Sequence, residues 1–145
     1  MTKPKYWDQG KKYLSKKDKI LSKLIKKYKG NLKTRRDPFF SLCKSIVGQQ
    51  ISVQAASSVW KKLVTKAKKI HPKNIYKLTP KQLASCGLSR QKISYLKILA
   101  KKFLNKELDI KKLKKMDDQE AIKYLVQVKG IGVWTAEMFL FFNQM

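Results

Sequence analysis

The sequence predicts an all-α protein of a single domain, and three observations carry that prediction. Apolar residues recur with period 3.6 along almost the whole chain, while scarcely any segment alternates with period 2. Short polar side chains suited to helix caps stand just ahead of the apolar runs. The runs are short and the loops between them are a few residues long. With 145 residues, 43% of them hydrophobic, the chain can bury a sizeable core. Neither an internal repeat nor a low-complexity linker divides it, so residues 1–145 are read as one domain.

Residues 6–29 carry Leu14, Ile20, Leu21, Leu24, Ile25 and Tyr28 at helical spacing among lysines, and Gly30-Asn31 supplies a stop. Asp37-Pro38 opens the next helix, with Asp as N-cap and Pro in the first helical position. Its residues Phe39, Phe40, Leu42, Cys43, Ile46 and Val47 read as a buried element, interrupted by Gly48-Gln49-Gln50. Ser52 can cap a helix through Val53, Ala55, Ala56, Val59, Trp60, Leu63 and Val64. Thr79-Pro80-Lys81-Gln82 has capping-box spacing and starts a short helix ending at Gly87. Ser89 caps another, containing Ile93, Tyr95, Leu96, Ile98, Leu99 and Phe103. Leu108 to Met116 is a short amphipathic piece. Asp117-Asp118-Gln119-Glu120 forms a further capping box that leads into Ile122, Leu125, Val126 and Val128.

That helix runs into the most informative segment, a turn with glycines at 130 and 132 joining it to a second helix; the pair spans about residues 117–143. Gly130 can take the positive φ such a turn needs, and Gly132 leaves room for close approach to the backbone. The second helix begins with unpaired N–H groups and its positive dipole end, a combination suited to phosphate. Lys129 stands beside the turn and Thr135 is placed to reach a phosphate. A Gly-x-Gly between helices can also be no more than a tight interhelical turn. The charge weighs against that: 35 Lys and Arg against 9 Asp and Glu give a net +26, which calls for a polyanionic partner. Sequence-indifferent binding of the DNA backbone follows.

Other classes fall away. No stretch approaches the ~20 apolar residues of a membrane span, and no secretory signal is visible at the N-terminus. Cys43 and Cys86 form no C-x-x-C pair and read as reduced, buried thiols of a cytosolic protein. His71, the lone histidine, precedes Pro72 and cannot assemble a metal site or triad. A membrane-surface role is disfavoured because the lysines surround a hairpin instead of forming one amphipathic face.

The segment Val128-Lys-Gly-Ile-Gly-Val-Trp-Thr-Ala136 resembles the helix-hairpin-helix of the base-excision DNA glycosylase (HhH-GPD) superfamily. The block Asp37-Pro-Phe-Phe-Ser-Leu-Cys-Lys-Ser-Ile-Val-Gly-Gln-Gln-Ile-Ser-Val-Gln-Ala-Ala56 resembles its alkylpurine branch, DNA-3-methyladenine glycosylase II. The two motifs lie about 80 residues apart in the family's order, and the likeness covers roughly residues 6–145. It implies a monofunctional enzyme that hydrolyses the N-glycosidic bond of alkylated bases such as 3-methyladenine in duplex DNA. Such an enzyme must extrude its target from the stack before attacking the sugar bond. Gln50 matches the wedge that fills the vacated space, and Gln49 supports its loop. Trp134 matches an aromatic wall of the base pocket, where a cationic alkylated base would gain about 0.5–2 kcal/mol of cation–π attraction. An indole at that position cannot form the Schiff base of the superfamily's lyases. Phe39, Phe40, Trp60 and Tyr95 can serve as pocket walls, although aromatics at helical spacing are usually core. Lys129, Gly130, Gly132 and Thr135 would contact phosphate. No cofactor is required; a structural K⁺ or Na⁺ would sit on the carbonyls of Val126, Val128 and Ile131.

One part of the pattern is missing. The family's catalytic aspartate lies beyond the second hairpin helix, and this chain ends at Met145 before reaching it. The expectation is therefore a shortened domain lacking the usual C-terminal helices, with no catalytic residue of its own. Glu137, inside the second hairpin helix, is a poor substitute, and Asp117 and Asp118 are accounted for as caps. Two readings remain open: an alkylpurine glycosylase in shortened form with little or no activity, or a non-catalytic DNA-binding module or remnant. In either case the expected state is a monomer on double-stranded DNA, in the cytoplasm, on a bacterial nucleoid, or in a eukaryotic nucleus.

Overall fold

Short polar side chains set where the helices begin. In the computed structural model, which describes residues 3–34 and 37–143, Asp18 accepts from the amides of Ile20 and Leu21 and opens α2 (Lys19–Lys27), immediately after α1 (Trp7–Lys17). Asp37 accepts from Phe40 N–H and opens α3 (Pro38–Gly48), and Ser52 accepts from Ala55 N–H to open α4 (Val53–Ala67). His71 caps α5 (Pro72–Lys77) through Lys73 N–H. A reciprocal capping box of Thr79 and Gln82 opens α6 (Pro80–Ala84), and Ser89 caps α7 (Arg90–Leu104). Asp109 starts the single turn of α8 (Ile110–Leu113). A second capping box, Asp117 with Glu120, starts α9 (Asp118–Val126), which the turn joins to α10 (Val133–Asn143). The all-α expectation holds across the described residues.

Two expectations need correction. The helical run expected over residues 6–29 is two helices, because Asp18 takes an extended conformation (φ −139°, ψ 121°) and caps the second. Its side chain outcompetes the continuing backbone ladder, the usual behaviour of a short acid in mid-helix. Helix α5 was not expected, since six residues hold too little periodicity to read; its Pro at the first position was the available signal.

Helices α3 and α7 make the centre. Phe39, Leu42, Cys43, Ile46 and Val47 of α3 pack with Ile93, Leu96, Leu99 and Ala100 of α7, and α4, α5, α6 and α10 close around them. Each fully buried aliphatic side chain here contributes about 1.5–3 kcal/mol. Cys43 and Cys86 are buried free thiols, as expected. Burial, helped by the nearby Asp37 carboxylate, pushes the Cys43 thiol well above its ordinary pKa. Tyr124 ties α9 to the loop before α8: its hydroxyl accepts from Asp109 N–H and donates to the Glu107 carbonyl, both at 2.9 Å. Helices α1 and α2 pack on each other and bury none of their residues. They enclose an open groove of about 580 Å³ lined by Trp7, Leu14, Leu21, Leu24, Ile25 and Tyr28.

Candidate nucleic-acid interface

The turn between α9 and α10 is closed from within. Ile131 N–H donates to the Val128 carbonyl at 2.9 Å, and Gly130 adopts φ +95°. Gly130 is required for a second reason: a Cβ there would lie 2.4 Å from two ring carbons of Tyr95. A Cβ at Gly132 would meet no atom within 4 Å, so the backbone there stands open. The first intrahelical bond of α10 runs from Ala136 N–H to the Gly132 carbonyl at 3.0 Å. The amides of Val133, Trp134 and Thr135 precede it and have no intrahelical acceptor, which leaves a positive helix end beside the exposed Lys129.

The loop between α3 and α4 approaches this turn from the other side. Gln49 Nε2 donates to the Gly130 carbonyl at 2.9 Å and, at 3.4 Å, to Thr135 Oγ1. Gln50 follows with φ +55°, a left-handed conformation uncommon for a residue other than glycine, and its side chain is exposed. Ser52 then caps α4. The fold therefore carries an exposed amide on a loop fastened to the hairpin.

Gln50 and Trp134 line one cleft, about 510 Å³ in volume, together with Lys44, Ser45, Gly48, Gln49, Met138 and Phe142. Trp134 is 68% exposed, which leaves its indole available for stacking. Gln50 also borders a second cleft of about 520 Å³ on the side of α4 and α7. Gln49 and Gln50 are common to both clefts.

The structure brings Gln50, Trp134, Lys129, Gly130 and Gly132 to one end of the molecule. Thr135 requires correction: its side chain is 4% exposed and its hydroxyl accepts from Gln49, so it faces inward and does not reach out to a phosphate. Val128 offers a carbonyl already used by Ile131 N–H, so a cation there would share it through the second lone pair. Glu137 is exposed on α10 and is not among the residues lining the cleft; among the described residues no aspartate or glutamate lines it. Phe39 is buried against Phe103, Phe40 packs edge-on against Trp60, and Tyr95 backs the Gly130 turn; none of the four lines the cleft of Gln50 and Trp134, and Tyr95 lines the second cleft instead.

Sequence reasoning missed Lys92. Its ammonium donates to the carbonyls of Val47 at 2.8 Å and Gln49 at 2.7 Å, and partial burial lowers its pKa from the ordinary lysine value. The available signal was a cation in the first turn of a Ser-capped helix, where the helix dipole disfavours it.

Comparison with known proteins places these residues in context. Residues 43–136, nearly two thirds of the chain, match the HhH-GPD superfamily of base excision DNA repair proteins. A DNA-3-methyladenine glycosylase of Saccharomyces cerevisiae is 41% identical over 119 residues, covering 74% of this chain and 40% of its own length. One of Bacillus subtilis is 34% identical over 116 residues, covering 72% and 38%. Among solved structures, a DNA-3-methyladenine glycosidase of Bacillus halodurans superposes with a TM-score of 0.73 at 34% identity, over 77% of this chain and 52% of that one. The 3-methyladenine DNA glycosylase of Schizosaccharomyces pombe, in complex with abasic DNA, gives 0.78 at 26% identity, over 93% and 69%. The chain spans 40% of the length of the S. cerevisiae relative, 38% of the B. subtilis one and 57% of a DNA-3-methyladenine glycosylase 1 of S. pombe.

Proposed function

The chain belongs to the HhH-GPD superfamily of base excision DNA repair proteins, and on that premise we propose that it carries the DNA-engaging half of an alkylpurine DNA glycosylase. The observation that carries the reading is the shared cleft of Gln50 and Trp134, fastened to the hairpin through Gln49. The hairpin and the surrounding lysines hold the phosphate backbone without reading sequence. Gln50 enters the stack as the target base leaves it, and the everted, positively charged alkylated base stacks on the Trp134 indole, gaining about 0.5–2 kcal/mol. A K⁺ or Na⁺ on the carbonyls of Val126, Val128 and Ile131 would add positive charge where the phosphate is held. The carboxylate that stabilises the sugar as the bond to the base breaks comes, in this reading, from outside residues 1–145. The full reaction is hydrolysis of the N-glycosidic bond, leaving an abasic site. The protein acts as a monomer on duplex DNA.

The absence of an acidic residue from the described lining of the cleft favours a second reading, a DNA-binding module without chemistry. Binding assays test what the two share. Log affinity for duplex DNA should fall with log salt by about 0.9 per phosphate neutralised. Gln50→Ala should weaken binding to a duplex with an abasic analogue several-fold more than binding to the intact duplex. Equal losses on the two would remove Gln50 from the wedge role.

A further inference from the structure

We propose that Lys92 is a positioning residue, whose ammonium clamps the end of α3 and so holds Gln50 projected from a rigid loop. The inference rests on the wedge reading of Gln50 for its consequence, but not for the clamp itself. Lys92 lies on α7, yet both of its recorded partners, the carbonyls of Val47 and Gln49, belong to the end of α3 and the loop after it. Helix α3 has no basic residue in its own last turn, so its negative end is met from a neighbouring helix. In the first turn of α7 the same cation opposes the local dipole, and Ser89 rather than Lys92 caps that helix. The placement serves α3.

The clamp acts where the backbone most needs it. Gln49 is held at its carbonyl by Lys92, at its amide side chain by Gly130 and Thr135, and at its N–H by the Ile46 carbonyl at 3.4 Å. Gln50 comes next, in its left-handed conformation, before Ser52 fixes the start of α4. A side chain that must enter a base stack needs a backbone that does not yield, and these bonds supply one. With two of its three N–H donors directed inward, Lys92 is poorly placed to double as a phosphate contact.

The test uses the 145-residue chain with Lys92→Met, Lys92→Arg and Gln50→Ala, and two duplexes identical except for one tetrahydrofuran abasic analogue. Amide hydrogen exchange at Gln49, the loop residue whose N–H is bonded to the Ile46 carbonyl, should quicken at least about tenfold in Lys92→Met, which loses both charge-assisted bonds. The abasic preference should fall with it, the salt slope should stay unchanged, and Lys92→Arg should retain most of the wild-type behaviour. Unchanged exchange at Gln49 overturns the clamp. So does equal weakening on both duplexes with the slope reduced by about 0.9, the signature of a lost phosphate contact. A Gln50→Ala protein with its preference intact would sink the wedge reading alone, and the exchange data would still decide the clamp. Should Lys92→Met melt below the assay temperature, Lys92→Gln, which keeps a neutral donor, replaces it.

Discussion

Gly130 is the residue on which the turn depends twice, through its φ of +95° and through Tyr95, whose ring would meet any Cβ at 2.4 Å. Gly130→Ala should therefore destabilise the protein by about 1–3 kcal/mol, the range for a residue held in a disfavoured backbone conformation. Lys129→Ala, on an exposed side chain beside it, should stay within about 0.5 kcal/mol. Thermal melting of the two variants decides the comparison. A partial recovery in Gly130→Ala with Tyr95→Ala would separate the steric part from the conformational part. Residues differ in how much of this the sequence discloses. The conformational demand on Gly130 was legible because Gly-x-Gly between helices has few other uses. The inward turn of Thr135 was not, since its partner Gln49 lies 86 residues away. Lys92 stood in the open as an oddly placed cation, but its acceptors are backbone carbonyls, which leave no side-chain signature.

At the level of elements, caps carried most of the information. The N-caps at Asp37, Ser52, Thr79, Ser89 and Asp117 start helices where the sequence places them, because each supplies an acceptor to amides that would otherwise be unpaired. Asp18 was passed over because apolar spacing runs through it, and a period alone does not reveal a break. Packing partners were less legible than boundaries. Helices α1 and α2 look as amphipathic as any in the chain, yet Ile20 is 72% exposed, Leu24 44% and Leu14 42%. Their amides should thus exchange much faster than those of α3 and α7, whose Leu42, Ile46, Leu96 and Leu99 are fully buried. Hydrogen exchange followed by mass spectrometry provides the check. Equal protection across the four helices would show that the pair is held by contacts its burial does not suggest.

At the scale of the whole molecule, grip and chemistry separate. In the proposed function, the net charge of +26, the hairpin and the cleft of Gln50 and Trp134 would supply binding, eversion and a stacking surface. Breaking the N-glycosidic bond needs in addition a negative charge at the sugar, where positive charge develops. Among the described residues no carboxylate lines the cleft, and Glu137 points to solvent from α10. Electrostatic stabilisation of this kind is worth several kcal/mol, and each 1.36 kcal/mol is about tenfold in rate. The 145-residue chain should accordingly release methylated adenine from alkylated DNA at no more than a trace rate, sustained by flipping and by the good leaving group that an alkylated base already is. A longer version carrying the family's aspartate after the second hairpin helix should turn over orders of magnitude faster with nearly the same DNA affinity. Base release is measured for the chain, its Glu137→Gln variant and the longer version. Robust turnover by the chain alone, abolished in Glu137→Gln, would make Glu137 the catalytic carboxylate and refute this division. Turnover confined to the longer version would support the glycosylase reading, while inactivity of both, with DNA binding intact, would favour the module without chemistry.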